Sequence, residues 1–260
     1  MKILVTGGRG IVGRPLVAEL ERRGHEVWFC DLYQYHHPNY RRCDVLHLRQ
    51  LQQLFDEQSF DCVYHLAAEF GRHNGEDFYE NLWNTNVVGT KNLLTLQRER
   101  GFRLVFFSSS EVYGDYDGVM SEEVMEQYAI RQLNDYAMTK WVGEMQVLNA
   151  QEAFNSQTVR VRLFNIYGPG EFYSPYRSAI CIFCYRALLG QPYKVYMGHH
   201  RTSLFITDAV RTLGQIIDDF RPGQVYNIGG AEYHDMKTVS DMILSYLGRN
   251  DEQVEYVEVE

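Results

Sequence analysis

The chain has 260 residues, of which 45% are hydrophobic and 23% are charged, and its formal net charge is −9 at pH 7. This length suits one large α/β domain, or a main domain with a small appendage. The acidic balance argues against binding to nucleic acid or to an anionic membrane surface, although local arginines and helix N-termini can still hold a phosphate-bearing ligand.

The amino terminus and the cysteines indicate the cellular compartment in which we expect the protein. The chain does not begin with a basic segment followed by a long apolar stretch, so we expect no signal peptide. No apolar run approaches the ~18–20 residues that span a bilayer, so we expect no membrane association. The five cysteines are odd in number, which favours reduced thiols in a cytoplasmic protein. Cys181 and Cys184 have no second ligand pair near them, so we expect core packing and no metal site.

Strand-like runs alternate with helical patterns over the first two thirds of the chain. The strand-like runs are continuous and apolar, as in a parallel sheet covered on both faces: Lys2–Thr6, Glu26–Cys30, Cys62–Leu66, Arg103–Ser108 and Thr158–Phe164. The helical patterns are Ile11–Arg23, Leu48–Glu57, Glu76–Arg98 and Asp135–Phe154. The alternation predicts a doubly wound parallel sheet whose ligands bind beyond the carboxyl ends of the strands.

The texture of the sequence changes after Tyr167, where Gly168-Pro169-Gly170 interrupts the pattern. Aromatic-rich loops follow, with a helix predicted near Ser178–Leu189 and strands near Tyr193–Met197 and Gln224–Ile228. We therefore predict a nucleotide-binding Rossmann domain over residues 1–167 and a smaller, discontinuous substrate-binding portion over residues 168–260.

A glycine-rich stretch, TGGRGIVG, follows the first predicted strand and opens the first predicted helix. Gly7 permits a tight turn, Gly10 lets a pyrophosphate approach the backbone, and Gly13 lets the helix pack closely on the sheet. Ile11 and Val12 lead into the helix, whose free N–H groups and dipole favour phosphate. In this context the stretch predicts a dinucleotide site rather than a merely tight turn.

Asp31 ends the second predicted strand, eighteen residues past Gly13. A carboxylate there can accept hydrogen bonds from both ribose hydroxyls of adenosine and would repel a 2′-phosphate. The cofactor is therefore predicted to be NAD rather than NADP. A solvated turn aspartate is the alternative, and Arg41 and Arg42 lie close enough in sequence to soften the preference.

Tyr136 and Lys140 are four positions apart on a predicted helix, so they share one face. An ammonium near a phenol stabilises the phenolate and lowers its pKa, which predicts a base for a sugar hydroxyl. Such pairs also arise by chance on helix surfaces. The serine-rich segment Ser108–Gly114, at the end of the fourth predicted strand, supplies hydroxyls for both the phenol and a substrate oxygen.

Together these motifs resemble the extended short-chain dehydrogenase/reductase family, in its NAD-dependent nucleotide-sugar epimerase/dehydratase/decarboxylase group. The resemblance runs nearly end to end and is specific to the group, not to one reaction. Besides the features above, it rests on Asp44-Val45, His65-Leu66-Ala67-Ala68, Asn86 with Gly89-Thr90, Arg162–Pro169, Arg201 before Phe205–Asp208, and Tyr226–Gly229.

The resemblance implies roles for individual residues. The residues that would contact NAD are Asp44 and Val45 at the adenine, Leu66, Ala67 and Ala68 along the dinucleotide, Lys140 at the nicotinamide ribose, and Phe164 near the nicotinamide. The catalytic residues would be Ser109, Glu111, Tyr136 and Lys140. The residues that would contact a nucleotide-diphosphate sugar are Ser110, Asn165 and Arg201.

Family members oxidise the sugar at C4 and usually return the hydride to the same NAD. A C4 ketone acidifies the C5 hydrogen and makes a C5 carboxylate a β-keto acid, so one intermediate supports elimination, epimerisation or decarboxylation. Ser110-Glu111 stands where 4,6-dehydratases carry Asp-Glu and where nucleotide-glucuronate decarboxylases carry Ser-Glu. Glu111 is thus a candidate base at C5, and the missing aspartate counts against a standard dehydratase. The alternative is that Glu111 only caps a loop or binds sugar hydroxyls.

Several alternatives stay open. A net NAD-dependent dehydrogenase or reductase is the second enzyme hypothesis, and a non-catalytic NAD-sensing protein is the alternative from another class. In the family, helices like Glu76–Arg98 and Asp135–Phe154 pair into a dimeric four-helix bundle, so we expect a homodimer, against burial of those faces within the monomer. Family members usually continue beyond the position of Glu260, so the tail is either missing or short.

Overall fold

The computed structural model describes residues 1–258. In chain order the elements of the first half are β1 (Lys2–Thr6), α1 (Gly13–Arg22), β2 (Glu26–Asp31), β3 (Tyr40–Arg42), α2 (Leu48–Glu57), β4 (Cys62–His65), α3 (Arg72–Asp77), α4 (Tyr79–Trp83), a π-helical turn (Asn84–Val88), α5 (Gly89–Arg100), β5 (Arg103–Ser109) and a 3₁₀ turn (Ser110–Tyr113). Those of the second half are α6 (Val124–Gln127), α7 (Asp135–Phe154), β6 (Thr158–Leu163), β7 (Asn165–Tyr167), α8 (Ala179–Leu189), β8 (Tyr193–Tyr196), β9 (His200–Phe205), α9 (Ile206–Gln215), β10 (Val225–Ile228), β11 (Tyr233–Asp235), α10 (Met236–Leu247) and β12 (Val254–Val257).

The main sheet has seven strands in the order β10-β6-β5-β4-β1-β2-β3, and every neighbouring pair is parallel. Strands β1 to β6 follow the 3-2-1-4-5-6 order of a doubly wound nucleotide-binding sheet, and β10 lies beside β6 at the edge. This confirms the predicted fold class. The register pairs Thr6 with His65, which places the carboxyl ends of β1 and β4 side by side.

The sheet is stabilised by apolar packing against its covering helices. One buried cluster joins Leu4 and Val63 from the strands to Leu51 of α2, Leu93 of α5 and Val147 of α7. Burying side chains of this size contributes about 1.5–3 kcal/mol each. Because α5 and α7 cover the same face as this cluster, packing fixes α7 against the sheet.

The chain forms two compact units. The first comprises Met1–Leu163 and Val210–Ile228, and the second comprises Phe164–Ala209 and the chain from Gly229 onward. The second unit contains the sheet β11-β9-β7 and the parallel pair β12-β8. Its core includes Phe183 of α8, Val195 of β8 and Leu244 of α10.

Several elements differ from the sequence expectations. The predicted helix Glu76–Arg98 is interrupted, because Phe78 has non-helical dihedral angles between α3 and α4 and the π-helical turn precedes α5. The strand predicted near Gln224–Ile228, assigned to the smaller portion, is instead the parallel neighbour of β6 in the main sheet. Within residues 1–258, no helix is both long and apolar enough to cross a bilayer.

Candidate active site

The candidate site lies at the carboxyl ends of β1, β4 and β5. Between β1 and β4 the strand order reverses direction, and such a switch point opens a crevice in which ligands bind. Here the glycine-rich loop follows Thr6, the Leu66–Ala68 segment follows His65, and the serine-rich turn follows β5.

The glycine-rich loop is shaped for close approach. Gly7 has φ +68°, and a Cβ there would lie 2.8 Å from the backbone nitrogen of Ala67. A Cβ on Gly13 would lie 2.2 Å from the carbonyl oxygen of Gly7, and one on Gly10 would lie 3.2 Å from it. Side chains at the first two positions would collide with backbone, so the loop keeps a narrow cradle in front of α1. This cradle fits the pyrophosphate of a dinucleotide.

Asp31 lies directly beside this loop. Its Oδ2 accepts the backbone N–H of Arg9 at 2.9 Å, and its Oδ1 accepts that of Leu32 at 2.8 Å. Each carboxylate oxygen keeps a further lone pair for a ribose hydroxyl. Arg9 also stacks on Tyr35, with its guanidinium carbon 3.9 Å from the ring centroid. The carboxylate predicted to bind ribose is therefore held at the edge of the cradle.

The two neighbouring arginines have other partners. Arg41 donates to Glu57 at 2.9 Å and stacks on Trp28. The Nε of Arg42 donates to the carbonyl oxygen of Leu32 at 3.0 Å. Of the two, Arg42 is the one held near the Asp31 turn.

Asp44 and Val45 follow β3. The Oδ1 of Asp44 accepts the backbone N–H of Leu46 at 2.9 Å. The Val45 side chain is buried against Gly89, where a Cβ would lie 2.8 Å from Val45 Cγ2. Any contact of Val45 with an adenine would therefore come from its backbone.

Tyr136 and Ser109 are brought together by α7 and β5. The side chain of Asn134 caps α7 by accepting the backbone N–H of Ala137 at 2.8 Å. That cap places Tyr136 in the first turn of the helix, where a hydrogen bond joins its hydroxyl to Ser109. Burial raises the pKa of Tyr136 to about 12, the Ser109 hydrogen bond opposes the rise, and the charge of Glu111 adds to it.

Lys140 lies one turn further along α7 and is buried. Its Nζ donates to the carbonyl oxygen of Phe107 at 2.9 Å and lies 5.8 Å from the ring centroid of Tyr136. Burial lowers the pKa of Lys140 to about 8. The sequence led us to expect a lowered pKa at Tyr136, and the structure gives a raised one. Desolvation of the phenol outweighs any help from an ammonium that is bonded to the backbone of β5.

Glu111 lies in the 3₁₀ turn after β5. Its Oε2 accepts a hydrogen from the Asn134 amide at 3.1 Å, and its backbone N–H donates to the Ser109 hydroxyl at 3.2 Å. Ser109 thus links the two residues, because its hydroxyl contacts the Glu111 backbone and is also hydrogen-bonded to Tyr136. The structure therefore places a carboxylate next to the Ser109–Tyr136 pair, with Ser110 between Ser109 and Glu111 in the turn.

Sequence reasoning missed two supports of this site. One is Asn134, which both caps α7 and orients Glu111; an asparagine just before a helical pattern is a capping signal. The other is a buried ion pair behind the turn, in which Arg162 donates to Glu144 at 2.8 Å and to the Tyr113 hydroxyl at 2.9 Å. No local pattern indicates that pair, because its members come from β6, α7 and the 3₁₀ turn.

The remaining predicted residues lie in the second unit. Asn165 begins β7 and its Nδ2 donates to the carbonyl oxygen of Thr202 at 3.0 Å. Phe164 packs against Gly229, where a Cβ would lie 3.0 Å from Phe164 Cγ. Arg201 lies on β9, half-buried, in register with His234 of β11.

The cysteines and histidines of the described chain form no metal-binding group of three or more His, Cys, Asp or Glu side chains. Cys181 and Cys184 are half-buried on α8. Burial raises the pKa of Cys181 to about 11, so this thiol is poorly nucleophilic.

Comparison with known proteins gives consistent matches. The model of the NAD dependent epimerase/dehydratase family matches residues 3–229. A UDP-N-acetyl-alpha-D-glucosaminuronate decarboxylase of Bacillus cytotoxicus is 30% identical, over 93% of this chain and 79% of that protein.

Solved structures with bound NAD are also similar. The dTDP-glucose 4,6-dehydratase of Bacillus anthracis in complex with NAD is 26% identical, with a TM-score of 0.84 over 100% of this chain and 85% of that one. The UDP-glucose 4-epimerase of Thermus thermophilus in complex with NAD is 25% identical, with a TM-score of 0.86 over 99% of this chain and 86% of that one.

Proposed function

Since the chain belongs to the NAD-dependent epimerase/dehydratase family and is an NAD-dependent enzyme, we propose that it transforms a nucleotide-diphosphate sugar through transient oxidation at C4, followed by chemistry at C5. The observation that carries this proposal is the grouping of Ser109, Tyr136 and Glu111 at the end of β5, with Lys140 buried beneath.

Tyr136 is the proposed base for the C4 hydroxyl. The cradle formed by Gly7, Gly10 and Gly13 would hold NAD, which would supply the hydride acceptor and donor for C4. Ser109, which is hydrogen-bonded to the phenol, is the proposed hydrogen-bond partner of the sugar oxygen. Burial raises the pKa of Tyr136 in the free protein even though the Lys140 ammonium lies 5.8 Å from its ring centroid, so we expect proton removal to need positive charge in addition to that of Lys140.

Glu111 is the proposed acid–base group at C5. The Asn134 amide donates to one of its carboxylate oxygens and so holds the carboxylate at the end of β5. A 4-keto sugar that carries a C5 carboxylate is a β-keto acid and loses carbon dioxide readily. The electron pair left at C5 then takes a proton, which Glu111 in its acid form can donate.

Decarboxylation of a nucleotide uronic acid is the specific reaction we favour. Elimination of water needs an acid for the departing C6 hydroxyl, and the chain has Ser110 rather than a carboxylate beside Glu111. The similarity to a nucleotide-uronate decarboxylase supports the same choice. Asn165 and Arg201 are the proposed contacts for the sugar diphosphate, since amide and guanidinium donors match phosphate oxygens.

A stalled-turnover experiment tests the proposal. With a panel of nucleotide uronic acids and nucleotide hexoses, Glu111→Gln should accumulate bound NADH, detected by its near-ultraviolet absorbance, because C4 oxidation proceeds and the C5 step does not. Tyr136→Phe should accumulate none. Release of free NADH at each turnover would indicate a net dehydrogenase instead, and no NADH or product with any member of the panel would contradict the proposal.

We also propose a cytoplasmic homodimer. The five cysteines are free thiols, as expected in a reducing compartment. Apolar side chains on α7 and the preceding π-helical turn are exposed: Val88, Met138, Met145 and Leu148. An exposed apolar helix face is typical of a self-association surface.

A further inference from the structure

A histidine without a role in the proposed reaction is buried under the site, at the end of β4. His65 is 2% exposed. Its Nδ1 lies 2.8 Å from the Thr6 hydroxyl and its Nε2 lies 3.2 Å from the Thr90 hydroxyl. Burial, together with the charge of Lys140, lowers the pKa of His65 to about 3, so the ring is neutral.

The neighbouring hydrogen bonds determine the tautomer. The Thr90 hydroxyl donates its single hydrogen to the carbonyl oxygen of Asn86 at 2.6 Å, so toward His65 it accepts. Nε2 must therefore carry the ring hydrogen. The Thr6 hydroxyl accepts the backbone N–H of Ala67 at 3.2 Å, which leaves its own hydrogen for Nδ1. Along the chain from Thr6 through His65 and Thr90 to Asn86, each residue thus donates its hydrogen bond to the next one.

The chain of bonds continues to the helix that carries Tyr136. The Asn86 amide donates to the Thr139 hydroxyl at 3.0 Å, and that hydroxyl donates to the carbonyl oxygen of Tyr136 at 2.8 Å. Asn86 also pairs with Glu69 in both directions, accepting its N–H at 2.9 Å and donating to its carbonyl oxygen at 3.0 Å. The π-helical turn containing Asn86 is thereby linked both to the segment after β4 and to α7.

We propose that His65, as the neutral Nε2–H tautomer, is a positioning residue that fixes Tyr136 relative to the dinucleotide cradle through Thr90, Asn86 and Thr139. One end of the chain is Thr6, which opens the cradle, and the other is the backbone of Tyr136. A protonated ring would place a second buried cation beside Lys140 and would force the Thr6 hydroxyl to turn away. The catalytic consequence rests on the proposed role of Tyr136, whereas the tautomer and the linkage do not.

The tautomer is tested by NMR on protein labelled with ¹⁵N-histidine, with the His65 signals assigned by their loss in His65→Gln. The expected result is a ring hydrogen on Nε2, unchanged across about pH 6 to 8, the range in which an ordinary histidine titrates. An Nδ1–H ring, or a ring that titrates in that range, would overturn the proposal.

The linkage is tested by following Tyr136 itself, through the ring signal of ¹³C-labelled tyrosine assigned with Tyr136→Phe. In His65→Leu, which cannot bond either threonine, that signal should shift. In His65→Gln, whose amide oxygen and nitrogen can replace the acceptor and donor, it should stay near its wild-type position. The matched control is Tyr64→Phe on the same strand, which loses one buried hydrogen bond to the carbonyl oxygen of Leu213 and should leave the signal unchanged.

The catalytic consequence is tested by measuring the single-turnover rate at which a nucleotide sugar reduces bound NAD. Loss of the linkage in His65→Leu should lower this rate on the order of tenfold, as expected when buried partners are left unsatisfied, and Tyr64→Phe should not. If His65→Leu lowers only the melting temperature, as we expect for Tyr64→Phe, His65 is merely structural and the proposal fails. If the wild type reduces no NAD, the proposed function fails, and the two NMR results still decide the linkage.

Discussion

At the scale of single residues, we propose that Asp31 determines the preference for NAD over NADP. Its carboxylate is held at the cradle edge by the backbone of Arg9 and Leu32, so it should repel a 2′-phosphate. We expect calorimetric titration to show NAD binding at least about tenfold more tightly than NADP, the equivalent of about 1.4 kcal/mol.

Substituting Asp31→Ala should reduce the difference between the NAD and NADP affinities, mainly by weakening the binding of NAD. Arg41→Ala is the matched control, because Arg41 bonds Glu57 and stacks on Trp28, and it should leave the ratio unchanged. Equal affinities in the wild type would contradict the assignment of Asp31 to the ribose.

The proposed base is tested by Tyr136→Phe. The variant should fold and still bind NAD, because the cradle is built by other residues, but its kcat should fall by about 10²–10⁴, the usual scale for general acid–base catalysis. Steady-state kinetics with calorimetry separates the two effects. Near-wild-type kcat would show that another group removes the proton.

The burial of Lys140 predicts how the free energy of unfolding depends on pH. Its folded-state pKa of about 8 lies below its ordinary value of 10.5. Between these values the unfolded chain holds more protons than the folded one, so the free energy of unfolding should rise with pH in that window. The cost of burying the charge is fully present below about pH 8.

The measurement is the difference in unfolding free energy between the wild type and Lys140→Met, from urea titrations at several pH values. This difference should move in favour of the wild type by at most about 3 kcal/mol as the pH rises from about 8 to 10. A flat difference would mean that Lys140 is not desolvated. The tyrosines of the unfolded chain also begin to ionise as the pH approaches about 10, but both proteins contain them, so their contribution cancels in the difference.

The sequence indicates where candidate residues lie relative to one another when their spacing is local, and their roles stay predictions. The glycine cradle, Asp31 and the Tyr136–Lys140 pair each lie within one strand–turn–helix unit or one helix turn. Long-range effects escape it. The direction of the Tyr136 pKa shift depends on burial by the folded chain, and the bond of Lys140 to Phe107 joins a helix to a strand.

At the scale of elements, helix α7, which carries the proposed base, depends on close approach to β5. A Cβ on Gly143 would lie 2.5 Å from the ring of Phe106. Gly143→Ala should therefore push the helix outward, lowering the unfolding free energy by about 1–3 kcal/mol through overpacking and lowering kcat as well. The control is Glu152→Ala on the exposed face of the same helix. If Gly143→Ala is as stable and active as the control, α7 does not need this contact.

Long periodic elements were predictable and short or irregular ones were not. Leu48–Glu57 and Asp135–Phe154 have the predicted bounds, because their patterns are uninterrupted. The break between α3 and α5 is not visible as a proline. It coincides with the pairing of Asn86 and Glu69, a contact between separate segments. The position of β10 also depends on parallel pairing with β6, which an apolar run does not specify.

At the scale of the whole molecule, the proposed homodimer uses the exposed face of α7. Met145 and Leu148 are 44% and 37% exposed. The double variant Met145→Lys/Leu148→Lys should be monomeric by light scattering, whereas the wild type should have twice the chain mass of 30.4 kDa. Met242→Lys, at another exposed methionine, is the control. A monomeric wild type would contradict the proposal that this face of α7 forms a dimer interface.

The class of reaction was predictable from the sequence, because the motifs that indicate the family lie in consecutive segments of the chain. The family comparison confirms the family. The specific reaction depends on what Glu111 and Ser110 meet at C5. The position of the bound sugar determines those contacts, and the spacing of residues along the chain does not.

The most direct test of the central claim, C4 oxidation followed by chemistry at C5, is product analysis by mass spectrometry and NMR after turnover in deuterated water. The account predicts that a nucleotide uronic acid loses carbon dioxide and gains one solvent deuterium at C5, and that Glu111→Gln loses this activity. A 4-epimer with no deuterium, no mass change and full activity in Glu111→Gln would contradict it and identify a simple 4-epimerase.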